Sequence, residues 1–157
     1  HKQGIILEHD GIIIAARDHI LGPGQISVFP KEHFTIMEMV PEDILERCAS
    51  VANKVSIATF ESLGSQGTNL IVKNGVGAAQ TVPHFAIDIV PRKENDGLNF
   101  QWDAKQLAED VMETAFTSIT EQTKQVGKEE KEETVDKIDD KGEKKDNYLL
   151  KSLRRVP

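Results

Sequence analysis

The chain has 157 residues, of which 38% are apolar and 29% are charged, so it is long enough to form one hydrophobic core. Its 19 basic and 26 acidic side chains give a net charge of −7, which argues against a general nucleic-acid-binding protein, because phosphates require cationic neutralisation. The single cysteine excludes a disulfide within the chain and a zinc site built only from its own cysteines.

No apolar run approaches the roughly 18 residues that a membrane-spanning helix needs. No segment of basic and then apolar residues opens the sequence either. We therefore expect a soluble, cytoplasmic protein that binds neither membranes nor nucleic acid. The first residue is His1 rather than Met, so the sequence is also compatible with a segment that precedes it.

The first 30 residues predict three strands. Residues 4–7 and 12–16 are rich in β-branched side chains and flank the turn Glu8-His-Asp-Gly11, a pattern typical of a hairpin. Residues 25–29 alternate polar and apolar side chains, as a half-buried strand does, and Pro30 ends that strand.

The sequence from residue 41 predicts a helix. Pro41 suits the first helical turn because a missing N–H costs nothing there, and the acidic Glu42 and Asp43 favour the positive end of the helix dipole. Apolar residues then recur at helical spacing, and Cys48 lies among them, so we interpret this cysteine as a core residue.

Residues 69–72 and 82–90 predict two more strands, and a last helix is predicted from about Asp103 into the 120s. The predicted fold class is therefore α+β, with five mainly antiparallel strands and two helices packed on one side.

We place the predicted domain at residues 1–120, and a charged extension follows it. Most residues in 121–146 are Lys, Glu or Asp, which is compatible with either a solvated helix or a flexible linker. Residues 147–157 combine leucines with basic side chains and predict a docking tail on this domain or on a second subunit.

Residues 74–92 contain the most informative pattern in the chain. Their first half is a small-residue loop, in which backbone N–H groups can approach an anion closely. Their second half predicts a strand with His84, Ala86 and Asp88 on its open face and the apolar residues between them in the core. The pattern is compatible with a polar pocket, or with an ordinary turn beside a surface His–Asp pair.

The same segment resembles the signature of the histidine triad (HIT) superfamily, in which Gly-rich residues precede His-x-His-x-His, two apolar residues and Pro-Arg. The residues that carry the likeness are Asn74, Gly75, Ala78, Gln80, Val82, His84, Pro91 and Arg92. Residues 22–33 also resemble the family's strand–turn–strand segment that leads into Pro-Lys-x-His. The resemblance covers about residues 5–120 and implies the HIT-like fold and a homodimer.

Two of the three triad positions depart from the family's pattern. The middle histidine, which by this resemblance attacks the α-phosphate of a nucleotide, is Ala86 here, and a methyl group cannot be a nucleophile. The third histidine, which holds the phosphate, is Asp88, whose carboxylate repels phosphate unless it is protonated or bound to a metal. We therefore expect that the family's nucleotidyl transfer does not occur in this chain.

The resemblance also implies ligand-binding residues. Asp18 would accept hydrogen bonds from ribose hydroxyls, and Asn74, Gln80 and Thr81 would line the pocket floor beside His84. Alternatively, Asp18 and Asn74 are ordinary turn residues that bind local backbone donors.

His33 and His84 allow a separate interpretation. In zinc-containing members of the superfamily, the equivalent histidines join two upstream cysteines around a structural zinc, and such a pair would have to precede His1 here. Otherwise the two histidines form a hydrogen-bonded pair. No cofactor is certain, and structural zinc is conditional on that upstream cysteine pair.

The residues and the resemblance together leave several functions open. The chain is either a non-catalytic protein that binds a nucleotide-like small molecule, as a regulatory or structural subunit, or a hydrolase with changed chemistry. In the hydrolase, Asp88 would be the general base for water attacking a neutral or cationic heterocycle of the nucleobase, pterin or folate type.

Overall fold

The computed structural model describes residues 4–17, 20–124 and 126. They fall into two compact units, one ending at Leu98 and the other beginning at Asn99. The predicted ribose-binding residue Asp18, the docking tail and most of the charged extension lie outside the described residues. None of the helices in the described part is long and apolar enough to cross a membrane.

The first unit contains a sheet of five strands. They are β1 (Ile5–His9), β2 (Ile12–Ala16), β3 (Ile26–Pro30), β4 (Gly67–Val72) and β5 (Ile87–Arg92). The strand order is β1-β2-β3-β5-β4, and every neighbouring pair is antiparallel. This confirms the predicted α+β class with a five-stranded antiparallel sheet.

The β1–β2 hairpin forms where the sequence predicts it. Asp10 and Gly11 occupy the turn with φ values of 50° and 72°, the left-handed conformations that a two-residue hairpin turn requires. His9 and Ile12, on either side of the turn, are paired, so the two-residue length of the turn sets the register of the two strands.

The helix α1 (Glu42–Leu63) covers one face of the sheet. It begins directly after Pro41, as predicted. Its Cys48 is fully buried in one core cluster with Val28 and Ile89 of the sheet, which confirms Cys48 as a core residue. Burial raises the pKa of the Cys48 thiol to about 11, because desolvation disfavours the thiolate.

Strand β5 begins later than predicted, at Ile87 rather than at residue 82. The backbone folds back just before it, because the N–H of His84 donates to the carbonyl of Val82 over 2.8 Å. Such a short-range turn is incompatible with an extended strand. The strand instead continues to Arg92, where Gly67 of β4 still pairs with it.

The predicted burial pattern around this strand is correct on its core side. Phe85, Ile87 and Ile89 are 1%, 7% and 0% exposed. The N–H of Phe85 donates to the carbonyl of Phe34 over 2.7 Å, which ties the segment before β5 to the core. This segment is therefore held in place although it is not part of the sheet.

The second unit contains the helix α2 (Glu109–Thr123), which begins later than the predicted Asp103. The carbonyl of Ala108 accepts hydrogen bonds from the N–H groups of Val111 and Met112, so the first helical turn forms only there. Glu109 lies in that turn, where the helix dipole favours an acidic residue.

Candidate functional site

The sheet face opposite α1 forms a pocket of about 820 Å³. Ile13 of β2, Phe29 of β3 and Asp88 of β5 all line this pocket. On each of these strands, the residues two positions away share the face of the named residue. Ile5 of β1 closes one side. The pocket therefore lies on the face that the sequence predicts to be open.

The pocket has an apolar part and a polar part. The apolar side chains are Ile5, Ile13, Ile20, Leu21, Phe29 and Val82. The polar part includes Arg17, Lys73, Thr81, His84 and Asp88. Apolar walls with a few converging polar groups suit a ligand that carries a ring system and a polar or charged group.

The three positions that the sequence resemblance assigns to the triad lie together at the polar end. His84, Ala86 and Asp88 all line a small cavity of about 30 Å³ that shares residues with the main pocket. His84 and Ala86 are half-buried, and Asp88 is buried. The middle position thus offers only a methyl group to a ligand, and a methyl group has no nucleophilic atom.

Asp88 is part of a network that reaches across two strands. Ser27 lies opposite Asp88 in the β3–β5 register, and its hydroxyl donates to Asp88 Oδ1 over 2.5 Å. Arg17 Nε donates to the same Ser27 Oγ over 2.7 Å and lies 3.7 Å from Asp88 Oδ1. The Asp88 carboxylate is therefore paired with a cation.

His33 and His84 form the second polar contact at this end. Their Nδ1 atoms are 3.2 Å apart, and His84 Nε2 lies 2.9 Å from the carbonyl oxygen of Pro30. A carbonyl oxygen can only accept, so His84 Nε2 carries a proton, and His84 Nδ1 in the neutral ring accepts from His33. This geometry supports the hydrogen-bonded pair.

The same histidine geometry fits half of a zinc site. Zinc binds the lone pair of a neutral imidazole, and the hydrogen bond from His84 Nε2 to the Pro30 carbonyl would hold the ring with its Nδ1 lone pair directed to the metal. A tetrahedral site needs two further ligands, and residues 4–17, 20–124 and 126 contain no group of three or more suitable side chains. His33 and His84 therefore supply two of the four ligands that such a site would need.

Gln80 and Thr81 lie beside the triad positions, but Gln80 forms internal hydrogen bonds and Thr81 faces the pocket. Gln80 is buried, and its Oε1 accepts from the N–H of Gly75 over 2.7 Å. Its Nε2 donates to the carbonyls of Thr35 and Val82 over 2.7 and 3.0 Å. Gln80 thus shapes the glycine loop from within, whereas Thr81 lines the main pocket with an exposed side chain.

Asn74 uses its side chain to hold a neighbouring segment. Its Oδ1 accepts from the N–H of Met37 over 2.9 Å, and its Nδ2 donates to Glu38 Oε2 over 2.6 Å. Asn74 does not line the main pocket. The Asn74 side chain therefore connects two segments that are remote in sequence, and its partners are not the local backbone donors of an ordinary turn residue.

The structure brings together two of the predicted ligand-binding residues, Thr81 and His84, with the predicted general base Asp88 in the main pocket. It adds Arg17 and Lys73 to the pocket lining, and it adds the buried Ser27, which contacts Arg17 and Asp88; the sequence interpretation did not include these three residues. The alternation of β2 and β3 contained a signal for two of them, because Arg17 and Ser27 lie at even spacing from Ala15 and Phe29 on the pocket face.

Residues 2–95 of the chain match the family described as HIT domain. Adenylylsulfatase HINT3 of Arabidopsis thaliana is 31% identical over 102 residues, which are 65% of this chain and 50% of that protein. Bis(5′-nucleosyl)-tetraphosphatase (asymmetrical) of Schizosaccharomyces pombe is 31% identical over 75 residues, 47% of this chain and 41% of that protein. The chain spans about half the length of these curated relatives.

Solved structures agree on the fold. A hypothetical protein from Leishmania major is 25% identical, with a TM-score of 0.64 over 78% of this chain and 87% of that chain. A histidine triad nucleotide-binding protein from Candida albicans is 20% identical, with a TM-score of 0.65 over 78% of this chain and 89% of that chain.

Proposed function

Because the chain belongs to the HIT family, we propose that it binds a nucleotide-like small molecule in the pocket on the open face of the sheet. The observation that carries this proposal is the pocket itself, which joins an apolar wall to a polar end at the triad positions. Two similar proteins are named adenylylsulfatase and bis(5′-nucleosyl)-tetraphosphatase, and both names refer to enzymes that act on nucleotide compounds.

The bound molecule does not become covalently attached to the protein. Nucleotidyl transfer through an enzyme-bound intermediate needs a nucleophile at the middle triad position, and Ala86 has none. His84 is not a substitute, because its Nδ1 faces His33 and its Nε2 faces the Pro30 carbonyl. The function proposed here is therefore binding, as in a regulatory subunit or a sensor.

Thermal unfolding of the full chain with diadenosine tetraphosphate or adenosine 5′-phosphosulfate tests this function. A ligand at 100 times its dissociation constant adds about 2.7 kcal/mol, which is a shift of several degrees for a domain of this size. Intact-mass spectrometry of the same mixtures is expected to show no adenylylated protein.

Thr81→Trp is the matching variant, because it fills the pocket at an exposed position and is expected to abolish the shift. Ser50→Trp, at an exposed position on α1, is expected to leave the shift unchanged. A shift that survives Thr81→Trp, or an adenylylated protein, would contradict the proposal.

A hydrolase is the second candidate, and one observation favours it. Asp88 lines the pocket with its side chain 10% exposed, so a water molecule bound there could transfer a proton to it while the water oxygen attacks an electrophilic carbon of a neutral or cationic heterocycle. The bond from that carbon to its leaving group would then break, and the leaving group would take the proton back from Asp88. The structure also places Arg17 beside this carboxylate, which reduces the attraction of the site for a cationic ligand. We therefore place binding first.

We also propose that two copies of the chain associate through β4 and α1. β4 is an edge strand of the described sheet, and the register places Leu70 and Val72 opposite Ile89 and Ile87, on the face that α1 covers. Leu70 and Val72 are nevertheless 50% and 38% exposed, because α1 leaves this edge uncovered. Such an edge is a template for pairing.

The end of α1 extends this apolar surface, with Ile57 52% and Phe60 49% exposed. We expect sedimentation equilibrium to give a dimer for the full chain and a monomer for Phe60→Asp. Val76→Asp, at an exposed apolar position in the glycine loop, is the control and should remain dimeric. A monomeric parent chain would contradict the dimer and leave the binding proposal untouched.

A further inference from the structure

Two cationic side chains approach the polar end of the pocket from opposite sides. Arg17 directly follows β2, Lys73 directly follows β4, and strands β3 and β5 lie between them. Both residues line the main pocket and the small cavity next to it, together with His84 and Asp88. The sheet order therefore brings residues that are remote in sequence to one place.

The charged side chains that line the pocket together differ in sign from the net charge of the chain. Arg17, Lys73 and Asp88 are the charged side chains that line the main pocket in the described part of the chain. Among the described residues that line the pocket, two cations and one carboxylate leave one positive charge in excess, whereas the chain as a whole has a net charge of −7. A positive pocket in an acidic protein attracts anions and disfavours cations.

The contacts of Arg17 leave its outer end available. In the described residues, Arg17 bonds to Ser27 through Nε, and its side chain is 32% exposed. The terminal Nη1 and Nη2 groups are thus the donors that a ligand in the pocket would meet. A guanidinium presents such donors in a fixed planar fork, which suits the oxygens of a phosphate group.

Ser27 links the carboxylate to this arginine. Its hydroxyl is fully buried, accepts from Arg17 Nε and donates to Asp88 Oδ1. Because a hydroxyl carries one proton, donation to Asp88 leaves the Ser27 lone pairs directed to Arg17. Asp88 thereby sets the direction of the Ser27 hydroxyl, and Ser27 in turn holds the Arg17 stem.

We propose that Arg17 and Lys73 form an anion subsite for the phosphate group of a nucleotide-like ligand, with Arg17 positioned by Ser27 and Asp88. The proposal rests on the proposed binding function and specifies its ligand class. It assigns phosphate recognition to two cations outside the triad positions, and it makes Asp88 a positioning residue whose charge is offset by Arg17.

Calorimetric titration of the full chain with adenosine and AMP tests this subsite, with guanosine and GMP as a second pair. We expect the nucleotide to bind the unmodified protein at least about tenfold more tightly than its nucleoside, because hydrogen bonds to charged groups have that magnitude. Arg17→Gln and Lys73→Gln should each remove most of this ratio and leave nucleoside affinity unchanged.

Lys54→Gln is the matched control, because it removes the same charge from an exposed position on α1 outside the pocket. It should leave the ratio unchanged. If it lowers the ratio as much as Lys73→Gln does, the effect comes from the total charge of the protein and the subsite is refuted.

Ser27→Ala tests positioning, since it keeps every charge in the pocket and removes only the hydroxyl that connects Arg17 to Asp88. We expect a weaker affinity for the nucleotide and an unchanged affinity for the nucleoside, with Ser27→Thr restoring the ratio. An equal loss for both ligands would mean that Ser27 only supports the fold.

The outcomes separate this inference from the function on which it rests. Binding of nucleosides and nucleotides with equal affinity would overturn the anion subsite and leave the binding function standing. Failure of all four compounds to bind would overturn both.

Discussion

Phe85→Ala is expected to lower the free energy of unfolding by about 3–5 kcal/mol, the cost of removing a large ring from a packed core. Phe85 is 1% exposed and belongs to the cluster that joins the sheet to α1. Phe85 directly follows His84, so a cavity at this position would loosen the segment that carries His84. The backbone N–H of residue 85 can still donate to the carbonyl of Phe34 in the variant. Urea unfolding of the full chain measures the loss.

Leu7→Ala is a suitable control for this variant. Leu7 lies on β1 with 52% of its surface exposed, so its truncation is expected to cost about 0.5 kcal/mol or less. Similar losses for the two variants would contradict the described core.

Asp88→Ala is expected to lower the free energy of unfolding by about 1–3 kcal/mol, because it leaves the buried Ser27 hydroxyl without its acceptor. Asp88→Asn is expected to cost less, because the amide oxygen can still accept from Ser27. Arg17 adds little to either loss, since its side chain is 32% exposed and water can solvate it.

The same two variants separate the two candidate functions. If Asp88 positions Arg17, Asp88→Asn should keep ligand affinity within a few-fold of the parent chain, and Asp88→Ala should weaken it further. If Asp88 were a general base, the parent chain would turn over a nucleobase, pterin or folate derivative, and Asp88→Asn would abolish that turnover while the protein remained folded. Parallel turnover and titration assays distinguish the two results.

Much of the fold is predictable because local chemistry and tertiary structure agree in it. The turn residues Asp10 and Gly11 tolerate left-handed φ values, so the hairpin is set by a two-residue segment. Pro41 likewise marks the start of α1. Strand β5 was less predictable, because its start depends on the turn at His84 and its end on pairing with Gly67.

The pocket was only partly predictable, because its chemistry depends on contacts between remote residues. Asp88 by itself favours a cationic ligand, but it meets Ser27, 61 residues away, through the β3–β5 register, and Ser27 bonds to the cation Arg17. Asn74 is a similar case, since its partners Met37 and Glu38 are 37 and 36 residues away. Hydrogen-bond partners at such separations leave no periodic pattern in a sequence.

The burial of Cys48 gives an experimental opportunity. It is the single cysteine of the chain, it is fully buried, and its thiol has a pKa raised to about 11, so thiolate-directed reagents meet almost no reactive sulfur in the folded protein. A cysteine introduced at exposed Thr81 would be labelled selectively by a maleimide dye, without removal of the native thiol. A ligand bound in the pocket would cover that position, so the rate of labelling would report how much of the pocket is occupied.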